Sequence, residues 1–193
     1  MSTATESVDL VGHESTRNLA RAALFAALVG AFAYVSFPVP LSPAPVTLQV
    51  LGVFLAGVLL GPVWGPAALG IYLAAGALGA PVFSGGAGGL GHLVGATAGY
   101  LWSYPVAAGV VGLAVHRGPA LRDLDGVGVP TLVGGLIAGT VVIYAVGVTG
   151  LALVLGLAPV EAVVQGALVF LPAEAAKIAA AVGIVRSDAL AAT

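Results

Sequence analysis

The chain has 193 residues, 60% of them hydrophobic and 7% charged, with a net charge of −2 and a mean hydropathy of +1.12. A water-soluble domain carries about 25% charged residues, so this chain lacks the polar side chains to cover a globular surface, and its solvent is lipid. Cysteine is absent, which excludes disulfides and thiolate metal sites. No cofactor, metal or nucleic-acid partner is expected.

Residues 1–16 are polar and mixed in charge (Glu6, Asp9, His13, Glu14) and are expected to be a disordered cytoplasmic tail. They do not read as a signal peptide. The cations Arg17 and Arg21 come after them, and the apolar run that follows is too long for an h-region. The remainder, 17–190, is expected to form one transmembrane domain.

The first span is predicted over 19–37. Ala22, Ala26 and Gly30 recur every four residues, with Ala23, Ala27 and Ala31 one position over. Small residues at that spacing make a flat stripe on which another helix can lie closely. Two readings stay open: packing within the chain, or a docking face for a second protein.

PVPLSPAPVTLQ follows at 38–49. Four prolines in eight residues exclude a helix. The segment is still apolar, so it reads as a lid over the membrane face rather than a plain connector. It ends in Thr47 and Gln49, and a buried amide at Gln49 needs a partner. The second and third spans are predicted over 48–60 and 66–78, joined by a turn at 61–66. Both are short against the ~20 residues of a full crossing.

The glycine-rich run FSGGAGGLGH occupies 83–92. No GK[ST] follows, so a phosphate loop is not supported. A tight re-entry and close backbone approach to a ligand explain it better, with Gly86 and Ala87 as candidate neighbours. His92 reads as an ordinary loop histidine, with no second ligand nearby for a metal. The fourth span, 92–115, carries Tyr100 and Tyr104 on one face, either an interfacial belt or the wall of a pocket. Trp102 lies on another face, toward lipid. The polar loop 116–129 and a fifth span over 130–155 come next.

Residues 158–171 are either the outer half of a kinked last span or a short surface helix. The second reading is preferred, because proline is favoured at the start of a helix. A last span from Pro172 to Ala189 would be about 27 Å long, near the hydrocarbon thickness. It holds the only lysine, Lys177, three residues after Glu174. Residues three apart on a helix share a face, and either charge buried alone in hydrocarbon costs roughly 2.5–3.5 kcal/mol on the translocon scale. The pair is therefore the leading candidate ligand site, the alternative being a self-satisfied ion pair. With six spans and both termini inside, all five arginines fall on the cytoplasmic side, as the positive-inside rule asks.

Three runs together resemble the BioY family, the biotin-binding S components of energy-coupling-factor (ECF) transporters. They are PVPLSPAPVTLQVLGVFLAGVLLGPVWG, YLAAGALGAPVFSGGAGGLGHLVGATAGYL and FLPAEAAK. The resemblance covers residues 19–185. It implies an all-α membrane protein with six transmembrane helices and an extracellular lid loop. It implies biotin bound near the outer side, and a first-helix motif that docks on a T component energised by ATPase subunits. The family's last-helix pattern falls on Pro172, Glu174 and Lys177, with Glu where Asp is usual. Its tyrosine after a Pro-Thr-Gly-Gly run falls on Tyr100, although here that run reads Ala96-Thr97-Ala98-Gly99. Its lid Thr-Leu-Gln falls on Thr47, Leu48 and Gln49.

No Walker motif is present, so ATP hydrolysis belongs to other subunits. The rival readings are an S component for another small vitamin and a membrane assembly protein without a ligand. An intramembrane hydrolase is disfavoured, because the spans offer neither a nucleophile–base pair nor a metal set.

Overall fold

The computed structural model describes residues 12–187. The first helix, α1 (His13–Phe32), takes in the last four residues of the expected tail; the start of that tail lies outside the described residues. Of the predicted first span, the end is not helix. Ser36–Phe37 form a short strand, β1, paired antiparallel with β2 (Val46–Thr47). The proline-rich residues between them arch across as a strap.

Helix α2 (Gln49–Ala77) is bent back on itself at Gly61, where φ is 75° and ψ is −171°. In a straight helix Gln49 and Tyr72 would lie ~34 Å apart at 1.5 Å per residue. Instead the Gln49 Nε2 donates to the Tyr72 hydroxyl at 2.5 Å. The predicted second and third spans are thus the two legs of a helical hairpin, 49–60 and 62–77. The predicted six-residue turn shrinks to one glycine because Pro62 sits in the first turn of the returning leg, where its missing N–H is tolerated. Gly65 packs on the first leg, where an added Cβ would lie 3.0 Å from the Ala56 carbonyl.

Helix α3 (Ala98–His116) crosses the bend. A Cβ on Gly112 would lie 2.5 Å from the Pro62 nitrogen, so no larger residue fits there. It starts six residues later than predicted, after a 3-10 turn at Leu90–Leu93. Helix α4 (Val129–Leu155) packs on α3, with backbones touching where Gly99 meets Gly147 and Gly150. A separate short helix, α5 (Pro159–Gly166), precedes α6 (Leu171–Val185). Ala167, at φ −134° and ψ −58°, breaks the chain between them, so 158–171 is not a continuous part of the last helix.

The two ends of the bundle differ. At one end the Gly85 N–H donates to the Ala33 carbonyl (3.2 Å) and the Tyr34 hydroxyl to that of Pro81 (2.8 Å), joining α1 to the glycine-rich run. At the other end lie the Gly61 bend and the loop 117–128. There the buried His116 accepts the Arg122 N–H on Nδ1 (3.0 Å) and therefore donates from Nε2 to the Val58 carbonyl (2.8 Å). Arg186, closing α6, donates to the carbonyls of Leu124 and Val127. With α1 about 30 Å long, Arg17 and Arg21 also belong to this end, so it gathers all five arginines.

Among the described residues, four stretches are long and apolar enough to cross a membrane: Gln49–Ala77, Ala98–His116, Val129–Leu155 and, taking α5 and α6 together across the break at Ala167, Pro159–Val185. Outward-facing Leu24, Val106, Leu113, Val141 and Leu153 are each at least half exposed, as a lipid-facing surface requires.

The bend generates a test. Gly61→Ala forces a side chain into a region that is essentially glycine-only, and its Cβ would lie 2.6 Å from Leu121 Cδ2. A loss on the order of 1–3 kcal/mol is expected, read as a lower melting temperature in detergent. Gly70→Ala, with nothing within 4 Å of the new Cβ, is expected to melt as the parent does.

Candidate binding site

A cavity of about 280 Å3 opens at the end away from the arginines, between the strap, the first leg of α2, the glycine-rich run, α3, α4 and α6. Its polar core is on α6. Lys177 Nζ donates to Glu174 Oε1 at 2.6 Å, with the two residues only 5% and 3% exposed. Helix α6 begins at Leu171, so Glu174 falls in the first turn, where the helix dipole favours an acid. The pair closes on itself but leaves valences open. Among the described residues, Glu174 Oε2 has no hydrogen-bond partner, and an ammonium carries three donors, of which one is engaged.

Thr47, Gln49 and Tyr100, singled out from the sequence, also line the cavity, but their polar atoms are largely engaged. Thr47 Oγ1 donates to Gln49 Oε1 (3.0 Å) while accepting the Gln49 N–H (3.3 Å). The other end of the Gln49 amide reaches Tyr72. These bonds fix the foot of the strap to the hairpin. The Tyr100 ring rests on Gly147, and its hydroxyl donates to the Gly166 carbonyl on α5 (2.7 Å). Tyr100 thus offers the cavity a ring face and ties α3 to α5 across α4.

Gly86 and Ala87 do not line the cavity. The run closes into a turn, with the Phe83 N–H donating to the Ala87 carbonyl at 2.8 Å, and Gly86 lies against Tyr34. The run reaches the cavity instead through Phe83, Ser84 and His92. His92 is thus a cavity residue rather than an ordinary loop histidine. The cavity also has an aromatic wall that spacing alone does not reveal. Tyr144 stacks on Phe170 at 6.3 Å and meets the Tyr100 ring edge-on, while Tyr72 meets Phe83 edge-on at 5.6 Å. The signals for Tyr144 and Phe170 were their isolation in aliphatic stretches and, for Phe170, the FLPAEAAK run itself.

The two small-residue stripes of α1 separate. Ala22, Ala26 and Gly30 are buried in the bundle, and Gly30 faces Val82 so closely that a Cβ would lie 2.9 Å from it. Their small size serves packing within the chain, the first of the two readings of the stripe. Ala23 and Ala27 are exposed.

Comparison with known proteins gives consistent matches. The family model described as "BioY family" matches residues 2–192. The chain is 43% identical over 149 residues to the biotin transporter BioY of Rhodobacter capsulatus, covering 76% of each chain. It is 40% identical over 170 residues to that of Rhizobium etli, covering 84% of this chain and 88% of the relative. Among solved structures it resembles the S-component for biotin from an ECF-type ABC transporter. The TM-score is 0.77 at 26% identity, over 92% of this chain and 93% of that one.

Tyr72→Phe removes the acceptor of the buried Gln49 amide. The expected outcome is a protein that folds but loses about 1–3 kcal/mol, measured as a drop in melting temperature without ligand.

Proposed function

The chain belongs to the BioY family, and we propose that it is the biotin-binding S component of an ECF transporter. It is a multi-pass membrane subunit that takes biotin from outside the cell and is energised by separate ATPase subunits. It is a transport subunit, not an enzyme.

The observation that carries this reading is the buried Glu174–Lys177 pair with its open valences. A ureido group presents a carbonyl acceptor beside N–H donors. It complements the free N–H bonds of Lys177 and the unpartnered Oε2 of Glu174 without adding net charge. The aromatic and aliphatic walls suit the fused sulfur ring. The volume of about 280 Å3 falls just short of the usual range of ligand sites, about 300–1,000 Å3. Another small vitamin with the same donor–acceptor head is the runner-up, and retained ligand identified by mass spectrometry separates the two.

In this reading the S-component architecture has six crossings: α1, the two legs of α2, α3, α4 and α6. The strap over 38–45 serves as the lid, and α5 lies at the outer face. Both termini are cytoplasmic, since the arginines cluster at the end away from the cavity. The T component docks on α1, where Ala23 and Ala27 leave a shallow exposed face.

Two experiments test the reading. Lys177→Ala is expected to weaken biotin binding at least tenfold, about 1.4 kcal/mol, in titration of purified protein; unchanged affinity would remove the site assignment. Glu174→Gln, which keeps the shape, is expected to weaken it comparably. Ala23→Leu with Ala27→Leu is expected to abolish co-purification of the T component and ATPases while leaving biotin affinity of the isolated subunit intact. Continued co-purification would place the contact elsewhere.

A further inference from the structure

Glu174 and Lys177 form a neutral pair. A carboxylate brought against them would bury an uncompensated negative charge, which costs several kcal/mol even after relaxation. A ligand whose head fits that pair must therefore hold its own carboxylate somewhere else. Among the described residues lining the cavity, the only other side chain with an ionisable nitrogen is His92. It is exposed, at the mouth, while the pair is deep.

The backbone around His92 is built to hold it there. Gly89 has φ of 101°, and its N–H donates to the Gly76 carbonyl at 2.7 Å. The His92 N–H in turn donates to the Gly89 carbonyl at 3.2 Å, closing the 3-10 turn. On the other side, Trp102 Nε1 donates to the Leu93 carbonyl at 2.9 Å, which moors the same turn to α3. The imidazole packs 5.9 Å from the ring of buried Phe83. Either protonation state of an imidazole carries at least one N–H donor, and the hydroxyl of Ser84 lies on the same wall. A solvated surface histidine has no need of a turn fastened at both ends.

We infer that His92 is a specificity-determining residue that reads the anionic end of the ligand. The ligand lies with its donor–acceptor head on Glu174 and Lys177 and its carboxylate at the cavity mouth on His92. This rests on the biotin reading above.

The test compares biotin with biotin amide, which keeps the ring and removes the tail charge, on purified full-length protein. The parent is expected to prefer biotin by roughly tenfold, the worth of one charge-assisted hydrogen bond at a wet site. In His92→Ala that preference is expected to fall to within about twofold, through weaker binding of biotin with the amide little changed. His92→Lys, which puts an N–H donor back at the mouth, is expected to recover it. A preference that persists in His92→Ala, or an equal loss for both ligands, overturns the assignment. If the parent binds neither compound, the biotin reading itself fails.

Discussion

The ion pair between Lys177 and Glu174 is the constraint on which the rest of the structure turns. Two charges buried this deeply persist only if each has the other, and removing one partner costs about 3–5 kcal/mol. Their spacing of three residues requires helix at that point. The helix must start just before Glu174, which Pro172 permits. Ala167 must break the chain so that α5 does not run into α6. The pair is net neutral, and among the described residues it leaves open one acceptor, Glu174 Oε2, and the remaining N–H bonds of Lys177.

The other polar groups of the cavity follow a different rule. Gln49, Thr47 and Tyr100 are bonded chiefly to protein, Gln49 through Tyr72 behind the wall, so they hold the walls in place and have few polar atoms left open. The atoms left open, Glu174 Oε2 and the spare N–H bonds of Lys177, sit in an apolar, aromatic surround suited to recognising a small molecule. That arrangement discriminates strongly, because a ligand that fails to meet a buried open atom leaves it unpaired. The fold uses glycine at Gly147 and Gly166 because the Tyr100 ring that forms part of the cavity wall touches both at distances no side chain would allow.

Much of this was legible in the sequence. Composition alone excluded a water-soluble domain, and the prolines excluded helix at the strap. The isolation of Lys177 in hydrocarbon pointed to Glu174 before any coordinates. What escaped was tertiary in origin. A small-residue stripe shows that something approaches, not whether it is the same chain, so Ala22, Ala26 and Gly30 could not be told from Ala23 and Ala27. The hairpin looked like two short spans with a six-residue turn, because only the positive φ of Gly61 reveals a one-residue bend. Gly86 and Ala87 were chosen for closeness to a ligand. Their glycine-rich character reflects a turn that points Phe83, Ser84 and His92 inward instead, and hydrogen bonds to distant carbonyls set that turn.

The unequal lengths of the helices bear on how the protein meets bilayers of different thickness. The first leg of the hairpin rises only about 18 Å, but 67% of the most apolar stretch of α2 is covered by protein. For α4 the covered share is 28%, and its 27 residues span about 40 Å against hydrocarbon of about 30 Å. Hydrophobic mismatch therefore falls mainly on α4, where tilting, kinking or local thickening of the bilayer are the available responses. The shielded hairpin, with the strap fastened to it, is insulated from changes in lipid composition.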